Sequence, residues 1–427
     1  MFSQGGLSLE QAPPISVVFR FFVTASFFGV LLGLFLLLDN LGMLKFISHA
    51  KELFITHILA LGVMASFMFG ALFQMLPVIA GVTIKTPHLK VIIVHLFLLL
   101  GLIFQLHSFL YNSIHFSYLF SAFFLGIGLL YGIFIMLKEL MQIKDHSPSS
   151  KGMIFSLFSF VITILFGTYL LLTLGGYIDG VFFAKSREIH YSFALFGWIT
   201  LLIVSVSFQV VEMFYVTPKY PSWMRKYLIL MLFLLLLVKS IAILLMIQTE
   251  IITALLSMVL VLYSGVTIHR LYYRKRPTSD ATVWFWRLAM GLLMGSMLIT
   301  LCETFMTINL EIKTLSYFLF IGFVLSVVFA MIYKIIPFLT WFHLSNQGYL
   351  EAPMMHDVIH PKRAKIQFYI HVSMLLMFIL TVFFNMVILK IWAALLLLSS
   401  FGWLLYNLIY AMKKYHYTQK HTERFEW

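Results

Sequence analysis

The sequence predicts an all-α membrane protein of twelve transmembrane helices arranged as three four-helix pseudo-repeats. Three observations predict it: a composition too apolar for a soluble core, hydrophobic runs of membrane-crossing length, and a residue frame that returns twice. The chain is 62% hydrophobic, 17% aromatic and only 11% charged, so its solvent has to be lipid. Runs between charged clusters hold about 20 apolar residues, enough to cross a hydrocarbon core of roughly 30 Å. In lipid such runs are helical, because a helix satisfies its own backbone polar groups. The repeat shows in the stretch Thr56 to Gly81. Its Gly62, Gln74 and Pro77 line up with Gly197, Gln209 and Glu212, and again with Gly322, Lys334 and Pro337, about 125–135 residues apart.

Taken in order, the spans fall at about 17–38, 55–80, 91–110, 118–137, 152–174, 190–214, 227–247, 251–271, 284–306, 315–342, 366–387 and 391–411. They make one polytopic domain over residues 1–427, with repeats at roughly 17–137, 152–271 and 284–411. Loops after even-numbered spans, with the chain ends and span ends, hold about 21 of the 29 Lys and Arg. Among them are Lys85, Lys90, Arg225, Lys226, the run Arg270 to Arg276, Lys362, Arg363, Lys413 and Lys414. Loops after odd-numbered spans hold about six, such as Lys45 and Lys185. Both termini are therefore expected on the cytoplasmic side of a bacterial inner membrane. The formal charge of +13 is read as loop charge that sets topology, not as a nucleic-acid surface. The N-terminus lacks a basic region and a small-residue cleavage site, so the first run is expected to be a retained helix.

That orientation sorts the polar residues by depth. His57, His190, His107 and Tyr317 fall towards the outer face, whereas His95, His343 and His371 fall towards the inner one. Ionisable groups inside spans are costly and default to functional candidates. By that rule His57 is the leading metal or haem ligand, with His190 next, then His107; Tyr317 also fits an interfacial aromatic belt. His95 and His371 could ligate a second group or simply be satisfied by neighbours. Lys239 reads as mid-membrane, and Glu212 and Glu303 lie a few residues inside their helix ends. Glu212 and Lys334 occupy nearly matched frames and are expected to form a pair. A single cysteine, Cys302, excludes an internal disulfide, a redox CxxC and a cysteine-based zinc site. No P-loop, nucleophile elbow, HExxH or dinucleotide fingerprint occurs, and GLLYG and GLLMG are helix interior.

Twelve spans with key residues on spans 2, 6 and 10 resemble subunit I of the haem-copper oxidases. The His57–Gly62–Gln74–Pro77 order is similar to helix 2 of its shorter relatives, including the NnrS-type proteins. LSLEQAPPISVVFRFFVTASFFG, QVVEMFYVTPKYP and KIIPFLTWFHL look like a bacterial membrane-protein group at the edge of that superfamily. The resemblance implies haem b as cofactor, copper as the second candidate, and a respiratory or cytochrome partner subunit. It also exposes departures. A working oxidase carries low-spin haem ligands on helices 2 and 10, a second helix-10 histidine, and three copper ligands on helices 6 and 7. Here span 7 has no histidine, and span 10 has Tyr317 where the repeat would place one. The oxygen-reducing centre cannot be built in that way, so oxidase activity is not expected.

Three function classes follow. The first is a haem-binding protein with the oxidase fold, with a role in nitric oxide stress, haem or copper handling, or maturation of respiratory enzymes. The second is a secondary transporter in which Lys239, Glu212 and Lys334 line the path. Continuous spans weigh against it, since transporter spans are usually broken near the midplane. The third is an assembly partner contributing only a surface.

Overall fold

The computed structural model describes residues 13–44, 48–111, 115–276 and 280–424; Lys45 and residues 7–12 of the N-terminal segment lie outside them. Among the described residues twelve helices are long and apolar enough to cross a bilayer. They are span 1 Ile15–Asn40, span 2 Lys51–Ala80, span 3 Pro87–Leu110, span 4 His115–Leu140, span 5 Pro148–Leu174 and span 6 Phe183–Tyr215. Then come span 7 Ser222–Leu244, span 8 Glu250–Tyr272, span 9 Ala281–Phe305, span 10 Leu310–Asn346, span 11 Pro361–Phe383 and span 12 Val387–His421. No strand occurs among the described residues.

Local chemistry sets where these helices begin. Pro87, Pro148 and Pro361 open spans 3, 5 and 11, where a missing N–H costs nothing. Ser147 accepts from the Ser150 N–H at 3.1 Å, Asp280 from the Thr282 N–H at 3.0 Å, and Asn309 from the Ile312 N–H at 3.1 Å. Each satisfies a donor the first turn leaves free. Pro337 does not end span 10, which continues to Asn346 at the cost of one backbone bond.

The spans divide into a ring and a centre. Span 1 packs on span 3, 3 on 4, 4 on 5, 5 on 7, 7 on 8, 8 on 9, 9 on 11, 11 on 12, and 12 back on 1. Spans 2, 6 and 10 lie inside. Of their most apolar windows 61%, 78% and 72% is buried, against at most 56% for any other span. They face one another across voids of about 80 and 50 Å³ lined almost wholly by apolar side chains such as Phe67, Met75, Val206, Met331 and Ile335. The ring helices turn Phe27, Phe116, Phe134 and Leu165 outward, the exposed apolar surface that a lipid environment requires.

Candidate functional site

Spans 2 and 6 depart from regular α-helix, and each does so beside a histidine. The π-helical stretch Ile58–Ala65 follows His57 directly, and Phe193–Thr200 begins three residues after His190. In each, a hydroxyl reaches five residues back. Ser66 Oγ donates to the Leu61 carbonyl at 3.3 Å, and Thr200 Oγ1 to the Leu195 carbonyl at 2.8 Å. That is the π spacing, and it satisfies carbonyls that lipid could not. The frame residues Gly62 and Gly197 lie inside these stretches. The spans stay continuous, as expected, and only their bonding changes inside these stretches. An all-apolar run looks alike to hydropathy whichever bonding it adopts.

Both imidazoles line one cavity. That cavity holds about 320 Å³ between spans 2, 3, 4, 5 and 6. Its walls are apolar: Leu125 and Ile164 on one side, Phe160 stacked on Trp198 at 4.3 Å and 9° on another, and Phe109 at 5.3 Å from the His57 ring. The two imidazoles stand 6.5 Å apart, centre to centre, with planes within 20°.

Their hydrogen bonds assign their protons. His57 Nδ1 donates to the Leu53 carbonyl at 2.8 Å, and His190 Nδ1 to the Thr163 carbonyl at 2.9 Å. A carbonyl only accepts, so the proton sits on Nδ1 and the neutral ring keeps a lone pair on Nε2. Neither Nε2 has a hydrogen-bond partner among the described residues. An imidazole anchored through one nitrogen and free at the other is the arrangement of a metal-ligating histidine.

Two residues missed by sequence reasoning complete the cavity. Gly167 lies under His190, where a Cβ would come within 2.8 Å of Cε1, so only glycine leaves room for the ring. Arg187, three residues before His190 and so on the same helix face, brings a cation to the exposed edge. The one available signal for Arg187 was that spacing; none marked Gly167.

The other candidates lie elsewhere. His107 bonds Ser117 at 2.9 Å and packs on Tyr111, outside the cavity lining. Tyr317 is 64% exposed at the start of span 10. His95 bonds Thr24 at 2.8 Å with Phe21 edge-on at 5.1 Å, and His371 bonds Ser326 at 2.8 Å with Phe329 edge-on at 5.0 Å. These two occupy separate packing sites on spans 3 and 11 and do not meet. His343 packs against Phe342 at the end of span 10.

The embedded charges each have a local partner. Lys239 pairs with Glu188 at 3.7 Å, five residues from the end of span 7 and not at its middle. The expected Glu212–Lys334 pair does not form. Glu212 accepts the Tyr220 N–H at 2.8 Å, while Lys334 pairs with Asp280 at the cap of span 9. Lys334 lies over the Tyr215 ring of span 6 at 5.8 Å, but its ammonium is taken by the capping carboxylate of span 9 and the Glu212 carboxylate by its own following loop. Burial alone would raise the Asp280 carboxyl, but the Lys334 charge and donors, with Thr282 and the Val283 N–H, hold it below the usual range. Glu303 pairs with Lys313 at 2.5 Å on the surface. Among the described residues no three His, Cys, Asp or Glu side chains gather as a metal site.

No known protein-family profile matches the chain, and no curated protein is significantly similar to it.

Proposed function

We propose that the protein is an integral haem protein with an architecture like subunit I of the haem-copper oxidases, without the oxygen-reducing centre. One observation carries this reading: two Nδ1-anchored imidazoles offer free Nε2 lone pairs to a single apolar cavity inside the bundle. The nine-helix ring around spans 2, 6 and 10 supports the architecture.

The residues present fit a haem better than a bare ion. A closed zinc site takes four protein ligands, and here two come together. A haem asks for axial nitrogen donors and an apolar slot, and the cavity lies within the range of roughly 300–1,000 Å³ usual for small-molecule sites. His57 and His190 would hold the iron, Phe109, Phe160 and Trp198 would exclude water, and Arg187 would balance acidic substituents at the edge. When bound, the group supplies one-electron chemistry. The setting is the bacterial inner membrane, with both termini cytoplasmic on the charge bias of the loops. Roles in nitric oxide stress, in haem or copper handling, or in respiratory-enzyme maturation all use such a centre.

A carrier reading draws on one feature, the matched π-helical stretches of spans 2 and 6. It is the weaker reading, because Lys239, Glu212 and Lys334 are held by three separate partners and line no common path.

The test is a reduced-minus-oxidised spectrum of detergent-purified protein from a haem-replete host, with pyridine haemochrome and copper assays on the same sample. Stoichiometric haem that falls below a tenth in His57→Ala is the expected result. Clean protein with neither group sinks the reading and turns attention to uptake by Lys239→Ala.

A further inference from the structure

Resting on that reading, we infer that His57 and His190 bind opposite faces of one haem iron, joining spans 2 and 6 through a six-coordinate centre closed to diatomic gases. Four features of the cavity lead there.

The first is spacing. Two imidazoles sharing an ion at about 2.0–2.1 Å from each nitrogen place their ring centres roughly 6 Å apart. The observed separation is 6.5 Å, with the planes within 20°.

The second is preorganisation. Both rings are tied at Nδ1 to backbone carbonyls, His57 to Leu53 one turn back and His190 to Thr163 across on span 5, so neither swings freely. His190 is further seated on Gly167.

The third is the count of donors. With two protein nitrogens and no further His, Cys, Asp or Glu among the described residues to complete a set, four equatorial positions remain. A porphyrin supplies four nitrogens in a plane. The apolar walls and the Arg187 cation suit its flat face and its acidic edge respectively.

The fourth is which spans take part. Subunit I architecture would draw its second axial ligand from span 10, but here the outer end of span 10 carries Tyr317, 64% exposed and not part of the cavity lining. The partner of His57 comes from span 6, one repeat along. With both axial positions filled by anchored imidazoles, a gas reaches the iron only after a histidine lets go. The centre would therefore hold or relay electrons rather than trap nitric oxide or dioxygen.

The experiment is absorption and electron paramagnetic resonance on the purified full-length protein, before and after carbon monoxide. Wild type is expected to be low-spin in both oxidation states, with a ferrous spectrum that carbon monoxide leaves unchanged. His190→Ala should retain haem at reduced occupancy, become high-spin, gain a carbon monoxide complex, and return to low-spin with added imidazole. His190→Met keeps a sixth ligand and should stay low-spin with a shifted signal, which guards against a poorly folding alanine variant. His95→Ala and His371→Ala should leave the low-spin signal intact. Wild-type haem that is high-spin and binds carbon monoxide overturns the inference and leaves the proposed function standing. So does a low-spin signal lost in His95→Ala or His371→Ala but kept in His190→Ala. Protein without haem overturns both.

Discussion

Spans 2 and 6 and span 10 occupy the same place in the bundle and are built differently. All three are central, deeply buried and carry the frame glycine. Spans 2 and 6 widen into π-helix beside a histidine and open onto a cavity; span 10 is regular α-helix over Leu310–Asn346, and its Tyr317 is exposed and outside the cavity lining. Even the hydroxyls differ. Ser66 and Thr200 reach five residues back, but Ser326 reaches four, to Gly322 at 2.7 Å, as an ordinary helix allows. The comparison teaches that burial at the centre does not by itself make a site. Among the described residues π-helix occurs at two places, each beside a histidine that lines the cavity.

The comparison breaks most severely if the distortion is removed. Deleting one residue from Ile58–Ala65 should restore α-helix, swing His57 out of register and reduce bound haem below a tenth of wild type with helicity unchanged. The same deletion at a matching depth in span 10 should leave haem content alone. Circular dichroism and haem absorbance on the two proteins decide it, and equal losses would mean that the π stretch has no special part.

A second effect belongs to the charges that fix spans 9 and 10. Asp280→Ala removes both the cap of span 9 and the partner of a half-buried lysine, and should cost about 3 kcal/mol of stability in detergent. Its pH dependence has a definite sign. The Asp280 carboxyl is depressed in the folded protein, so its contribution is fully present above its ordinary value of 3.8 and is lost as pH falls below that, towards the folded value. Thermal midpoints of wild type should drop through that window, and those of Asp280→Asn should drop less.

Smaller effects sharpen the contrast. Ser66→Ala and Thr200→Ala each leave a π-helix carbonyl without its hydroxyl and should cost about 0.5–1.5 kcal/mol. They should also broaden the haem signal, whereas Thr340→Ala, whose hydroxyl bonds Ile336 four residues back on span 10, should not. The smallest expected change is none: Tyr317→His adds a histidine to span 10 at an exposed position and should leave haem content and spin state as they were. A gain of haem would show that span 10 also faces a site.

The placement of twelve spans was legible in the sequence because run length and loop charge are local quantities that lipid reads directly. His57 and His190 could be named as candidates for the same reason: an imidazole inside an apolar run stands out. Their meeting could not be read. It depends on two backbone distortions within stretches that are apolar apart from Thr200, so no periodicity betrays a change of bonding. Gly167 was equally hidden, since a glycine in a membrane helix is ordinary until a ring lies on it. The pairing of Lys334 with Asp280 instead of Glu212 turns on which loop folds back beside span 10.

The sequence by itself therefore determined the solvent, the number of crossings, the bias of the faces and which polar groups had to be accounted for. These follow from the cost of placing each residue in hydrocarbon. The tertiary structure alone decided which of those groups share a cavity, which are retired in local pairs, and that span 6 faces span 2 through its histidine while span 10 does not. Those outcomes rest on helix rotation and contact across residues far apart in the chain, where a turn of backbone moves a side chain from one neighbour to another without changing its hydropathy.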